Sequence, residues 1–208
     1  TQYWDDTDDN GDGILYNDAN DATADGTNEG FSPIGNGTTK FTGVYDGNGH
    51  IIDALTINRG DTNYIGFLGS VYTGASVSDL GLTQVNIAGA NLAGALAGFV
   101  FQADIARCFS TGSVIGGEKV GGLIGEIGYN SSVDTCWSRA SVEGNDSAGG
   151  FAGSAYRYVE VTNCYSAGAV TGAGSVGGFL AEMDSSATAD ACFWDTETSG
   201  QGTDSGAT

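Results

Sequence analysis

The sequence is poor in positive charge, poor in proline and almost without histidine. Two lysines and four arginines face 26 acidic residues, 19 of them aspartate, for a formal net charge of −20. A surface of that sign repels nucleic acid and anionic lipid, and neither is expected as a partner. No apolar run approaches the roughly 18 residues of a membrane span, so no membrane insertion is expected. The single histidine, His50, has no HExxH motif around it, and no Ser-His-Asp set or phosphate loop is present. With 36 glycines, long helices are heavily penalised, since glycine costs about 1 kcal/mol per helical position. Scarce lysine with abundant aspartate suits high salt, where self-repulsion is screened within a few ångströms, and points to a halophilic or marine extracellular setting. The chain opens on Thr rather than Met, as it would after removal of a signal peptide or after trimming.

What is present is a repeat. From Tyr64 to Thr203 the chain divides into five blocks of 28 residues. Their third position is always glycine (Gly66, Gly94, Gly122, Gly150, Gly178), and their sixth is glycine or alanine (Gly69, Ala97, Gly125, Gly153, Ala181). The fourteenth is Val77, Ile105, Val133, Val161 and Ala189. The seventeenth is Leu80 and then every cysteine of the chain: Cys108, Cys136, Cys164 and Cys192. A period of this length marks stacked units that bury an apolar face only against one another. Runs of four to six residues rich in Val, Ile, Thr, Tyr and Phe, broken by Gly, Ser, Asn and Asp, make the unit a β coil. The expected fold is all-β: a single parallel β-solenoid of about six 28-residue coils over residues 36–199. Each coil should carry three short strands with the glycine pairs at tight corners, right-handed by the crossover preference of parallel strands. Equivalent residues then stack about 4.8 Å apart.

The phrases Gly66-Phe-Leu-Gly69, Gly122-Leu-Ile-Gly125 and Gly150-Phe-Ala-Gly153, each followed by a Val/Ile-x-x-Cys-aromatic-Ser type of phrase, resemble the GLUG-motif repeats of secreted and cell-surface proteins. The leading segment Phe31-Ser-Pro-Ile-Gly, the stretch Phe41 to Ile52, and Phe193-Trp-Asp-Thr-Glu-Thr-Ser-Gly-Gln are similar to the flanks of such arrays. The resemblance implies a module of adhesins and large surface proteins, a family that has an IgA-cleaving metallopeptidase among its carriers. Ala97 and Ala181 depart from the closing glycine of the motif.

Residues 1–35 read as an acidic N-terminal cap. Asp6, Asp8, Asn10 and Asp12 put oxygen side chains at alternate positions before Gly13, with Asp18 as a later acid in a second register. Short loops wrap Ca²⁺ in this way, in the manner of DxDxDG modules rather than EF-hands, because neither register has the acid at position 12. A structural Ca²⁺ site and a solvated acidic tail both fit. Residues 200–208 read as a flexible tail or linker.

Chemistry would have to reside in the columns. The cysteines form an inward ladder of free thiols, since stacked parallel strands hold Cβ atoms a little too far apart for an unstrained bridge. Phe109, Trp137, Tyr165 and Phe193 lie on the opposite parity and form an outward aromatic ladder. They serve either as a cradle for sugar rings or as a ladder that stabilises itself. Asp79 falls beside Arg107 as a surface ion pair. Asp134 and Asp190 share a column two rungs apart, about 9.6 Å, near the upper limit for an inverting glycosidase. Thr162 separates them and no Lys, Tyr or Arg cluster surrounds them, so no catalysis is expected. The function expected is a non-enzymatic extracellular structural or adhesive module that docks other surface domains, or copies of itself, through open strand edges. Carbohydrate binding on the aromatic ladder is the alternative.

Overall fold

The structure is a computed structural model that describes residues 29–205. It is an all-β parallel solenoid, and every pairing between strands is parallel. The coils from Ala93 onward carry four or five strands rather than three. In the coil that begins at Val120 these are Val120–Gly121, Ile124–Gly128, Ser132–Asp134 and Trp137–Gly144. The extra strand is the two-residue Val120–Gly121, too short for its own hydrophobic alternation to show in the sequence. Stacked, the coils make sheets of 12, five and four strands. From Asp104 onward two or three strands of each coil belong to the large sheet, which bends between them. Its six-rung column Tyr45, Val77, Ile105, Val133, Val161 and Ala189 runs the length of the stack.

The strands form because their alternation matches the pleat. Along Trp137–Gly144 the residues alternate between core and surface, with Ser138, Ala140 and Val142 buried. Small inward groups let the coil close tightly, and one continuous core cluster runs from Leu55 to Cys192. Its largest members include Phe151 and Phe179, stacked with ring centroids 4.7 Å apart.

Two expectations about glycine need correction. None of the repeat glycines adopts a left-handed backbone, although they do sit at a bend between the four- and five-stranded sheets. They are needed because a side chain would collide with backbone. A Cβ on Gly125 would lie 2.5 Å from the Gly98 carbonyl oxygen and 2.7 Å from the Ala93 nitrogen. The left-handed corner is made by other residues. Asp79, Arg107, Thr135, Asn163 and Ala191, each just before the Leu80/cysteine column, have φ of 58°, 52°, 54°, 55° and 51°.

The second correction concerns register. The strand Ser76–Gly89 holds an extra residue between Leu82 and Val85, where Gln84 has φ 53°. From there the coil-to-coil offset falls to 27, as in Val85 to Gly112 and Val100 to Ile127, and returns to 28 at Ile105 to Val133. Ala97 therefore pairs with Leu68 and Ile124 and does not occupy the glycine column. Gly98 does, against Gly125.

At the N-terminal end, Gly30, Ile34 and Phe41 bridge to Ile57, Leu68 and Val71, forming a partial coil over the first full one. At the other end a short helix, Thr196–Ser199, is capped by Asp195, whose carboxylate accepts from the Glu197 and Thr198 amides. Residues 200–205, expected to be flexible, fold back onto the last coil. Asp204 accepts from the Phe179 and Leu180 amides at 2.6 and 2.7 Å, and the Ser205 amide donates to the Leu180 carbonyl.

Candidate functional site

The outward aromatic column is in place: Phe109, Trp137, Tyr165 and Phe193 pair rung to rung. The rings of Phe109, Trp137 and Tyr165 are parallel and close. Phe109 and Trp137 lie 4.4 Å apart at 6°, and Trp137 and Tyr165 lie 5.7 Å apart at 9°. The Phe109 ring also covers Gly81, and Arg139 sits over Trp137 and Tyr165 at 5.4 and 6.0 Å. Sugar rings stack on aromatic faces, and here those faces meet one another, leaving mainly edges to solvent. Phe193, at 58% exposure, is the open end of the ladder.

Behind it the four cysteines are free and buried. The Cys108 and Cys136 amides each donate to the sulfur of the next rung at 3.3 Å. Cys136, hydrogen-bonded to both neighbouring thiols and buried between them, is held well above the ordinary thiol range. Cys192 is likewise pushed up, whereas Cys108 and Cys164, hydrogen-bonded to Cys136, are drawn down, so the column is a buried set of thiols that shift one another.

Two carboxylates of the large sheet, Asp79 and Asp134, are tied down. Asp79 takes Arg107 in two hydrogen bonds of 2.7 and 2.6 Å, which hold its carboxyl at about 2. Asp134 and Asp190 do share a column, each paired with Thr162. Asp134 accepts from Asn163, Thr135 and Thr162, and these bonds keep it below the usual carboxylate range. A carboxylate so satisfied is a structural acceptor, poorly placed for proton transfer. His50 donates from Nδ1 to the Gly47 carbonyl at 2.9 Å and fastens a turn.

The most concentrated chemistry lies on the outer face of the five-stranded sheet, where sequence reading placed nothing. One column there runs Ser70, Phe99, Glu126, Ser154, Glu182. Corner residues lean over it: Tyr64 meets Phe99 edge-on at 6.2 Å, Lys119 pairs with Glu126, and Ser147 donates to Glu182 at 2.7 Å. Glu126 is only 4% exposed. Tyr156, beside it, is pushed up to about 12 by burial and by the Glu126 carboxylate. Tyr72, Phe101 and Tyr129 stack alongside at 4.5 and 5.6 Å. The Phe99 end of the site was hidden by the one-residue register shift. Strict periodicity places Phe99 with Val71 and Ile127, which point inward, whereas the structure pairs it with Ser70 and Glu126. The signal available in the sequence was the alternation of Phe99 and Phe101 about Val100.

No family model matches the chain. Halomucin from Haloquadratum walsbyi is 36% identical over 86 residues, which cover 41% of this chain and 1% of that protein. A "Putative Gly-rich membrane protein" from Evansella cellulosilytica is 42% identical over 72 residues, 33% of this chain and 8% of that one. Among solved structures, a "putative immunoglobulin A1 protease" from Bacteroides ovatus matches with a TM-score of 0.56 and 26% identity, over 69% of this chain and 48% of that chain. The matched segment is thus less than half of each of these proteins.

Asp6, Asp8, Asn10, Asp12 and Asp18, the expected Ca²⁺ ligands, lie outside the described residues.

Proposed function

We propose that the chain is a non-enzymatic structural and adhesive module of an extracellular or cell-surface protein, related in its repeat to the GLUG type. The observation that carries this reading is the solenoid itself. It is a stack held by rung-to-rung backbone pairing around small buried groups, with Asp79 and Asp134 of its large sheet engaged in structural bonds. The likeness to segments of halomucin and of a Gly-rich membrane protein supports a surface setting, and the acidic, lysine-poor composition supports a salty one. The match to the protease covers less than half of that chain and supports a shared fold rather than shared chemistry.

Docking to other surface domains or to copies of itself has an open route at the last coil. The tail occupies part of the last rung of the five-stranded sheet, but Thr188–Asp190 pairs only with Glu160–Thr162. Thr188 and Asp190 bond inward, to Val159 and Asn163, so Ala189 presents its backbone outward. Light scattering and electron microscopy across salt and Ca²⁺ concentrations test this. We expect end-to-end assembly that Ala189→Pro abolishes. A strict monomer under all conditions removes the self-assembly branch and leaves the stalk reading.

A further inference from the structure

We propose that the outer face of the five-stranded sheet binds a neutral oligosaccharide lying along the solenoid axis. This names a ligand class for the adhesive half of the reading above and rests on that half alone, since the assembly half concerns the coil ends. The face has an apolar end and a polar end. At the apolar end Phe99 meets Tyr64, Tyr72 and Phe101 at 63°, 53° and 40°, so its face, unlike those of the ladder on the other side, is not stacked on another ring. Two to three rungs further, about 10–14 Å at the inter-strand spacing, the polar end opens into a shallow groove of about 270 Å³ lined by Lys119, Ser154, Tyr156, Glu182, Met183 and Asp184.

The fold does not need a carboxylate at Glu126. Its column neighbours are Phe99 and Ser154, and a buried ion pair is often no more stabilising than apolar residues of the same size. What the Lys119–Glu126 pair supplies is a neutralised donor and acceptor set. Lys119 retains ammonium hydrogens beyond the one given to Glu126, and its side chain is 36% exposed at the groove. The Ser154 hydroxyl and the Glu182 carboxylate continue the set. Sugar hydroxyls both donate and accept, and their C–H faces seek aromatic rings, so this alternation of ring, charge pair and hydroxyl suits a pyranose chain. The rise per sugar in an extended chain is close to the rung spacing, which lets successive rings meet successive residues. Charge selects among glycans: Lys119 and Arg157 face Glu126, Glu182 and Asp184 on a chain of net charge −20, and polyanionic sugars are repelled.

The test is calorimetry and array binding of the full chain with cellohexaose, xylohexaose, mannohexaose and chitohexaose, with polygalacturonate as the anionic control. At least one neutral hexasaccharide should bind. Tyr156→Ala should weaken it about tenfold, the exposed Glu182→Gln should weaken it several-fold, and Trp137→Ala on the other face should leave it unchanged. Melting curves establish that each variant folds, and if Tyr156→Ala does not, Glu182→Gln carries the test. Three results overturn the proposal: no neutral oligosaccharide bound at millimolar concentration, binding of polygalacturonate alone, or binding lost with Trp137→Ala and kept in the groove variants. None of these bears on the assembly state, so a failure here is distinct from failure of the end-to-end reading.

Discussion

Replacing Gly149 tests why the repeat contains glycine at all. Gly149 pairs with Gly121 and Gly177, and in each coil an added Cβ would meet the carbonyl oxygen three residues on, that of Ile124, Ala152 or Leu180. At Gly149 it would also lie 2.8 Å from the Ala152 carbonyl carbon and 2.9 Å from the Ala181 nitrogen. These are backbone atoms held by rung pairing, so relief requires the coils to part locally. Gly149→Ala should therefore cost about 3 kcal/mol, the upper end for overpacking, or about 6–12 °C in melting temperature for a domain of this size. Ser and Asn should be progressively worse. Gly200 is the control: its φ is 70° and an added Cβ would meet nothing within 4 Å. There the glycine answers a dihedral demand, so Asn should be tolerated better than Ala. Thermal and urea unfolding of both series decide the matter. If Gly149→Asn proves as stable as Gly149→Ala, or both fall within about 0.5 kcal/mol of wild type, the steric account of the column is wrong.

Thiol reagents should find no reactive cysteine in the native protein and four after denaturation, and reductant should leave the melting temperature unchanged; native reactivity would contradict the buried ladder. The Asp79 carboxyl should titrate near 2 by NMR and move up toward its ordinary 3.8 in Arg107→Ala. Because its folded value is depressed, the pair's contribution is present above about pH 4 and fades as pH falls toward 2. Excess Ca²⁺ against chelator should raise the melting temperature, and Asp8→Ala with Asp12→Ala should erase the rise; no difference in the wild type would favour a solvated acidic segment.

The columns that could be read directly from sequence are those in which the 28-residue offset is unbroken. Val77 to Ala189, the cysteines, and Phe109 to Phe193 stack as the spacing demands, because each lies in a stretch where one coil's chain length equals the next. The Phe99 end of the five-stranded face was illegible for the opposite reason. An extra residue at Gln84 and a shorter link after Phe101 lie between recurring anchors, and neither alters the total count. The ring-on-ring geometry of the ladder was equally beyond the sequence, which gives parity but not the tilt of a side chain. The exit segment misled through its polarity: Asp204 and Ser205 look like linker, yet short polar side chains are what cap unpaired backbone N–H and C=O groups, Asp204 accepting from two amides and Ser205 donating to the Ala181 carbonyl.

The paired irregularity at Gln84 and Phe101 shows how such a chain keeps time. Each coil acts as a clock that resets against the previous one, so an error of phase affects only the arc between insertion and deletion. Within that arc, residues 85–101, every side chain changes partners, and inward positions in one coil meet different neighbours in the next. A solenoid can thus acquire a new surface without new folding instructions. Two opposite single-residue slips, neither visible in the period, turn Phe99 and Phe101 to the outer face and Val100 into the core while the rest of the stack remains in step.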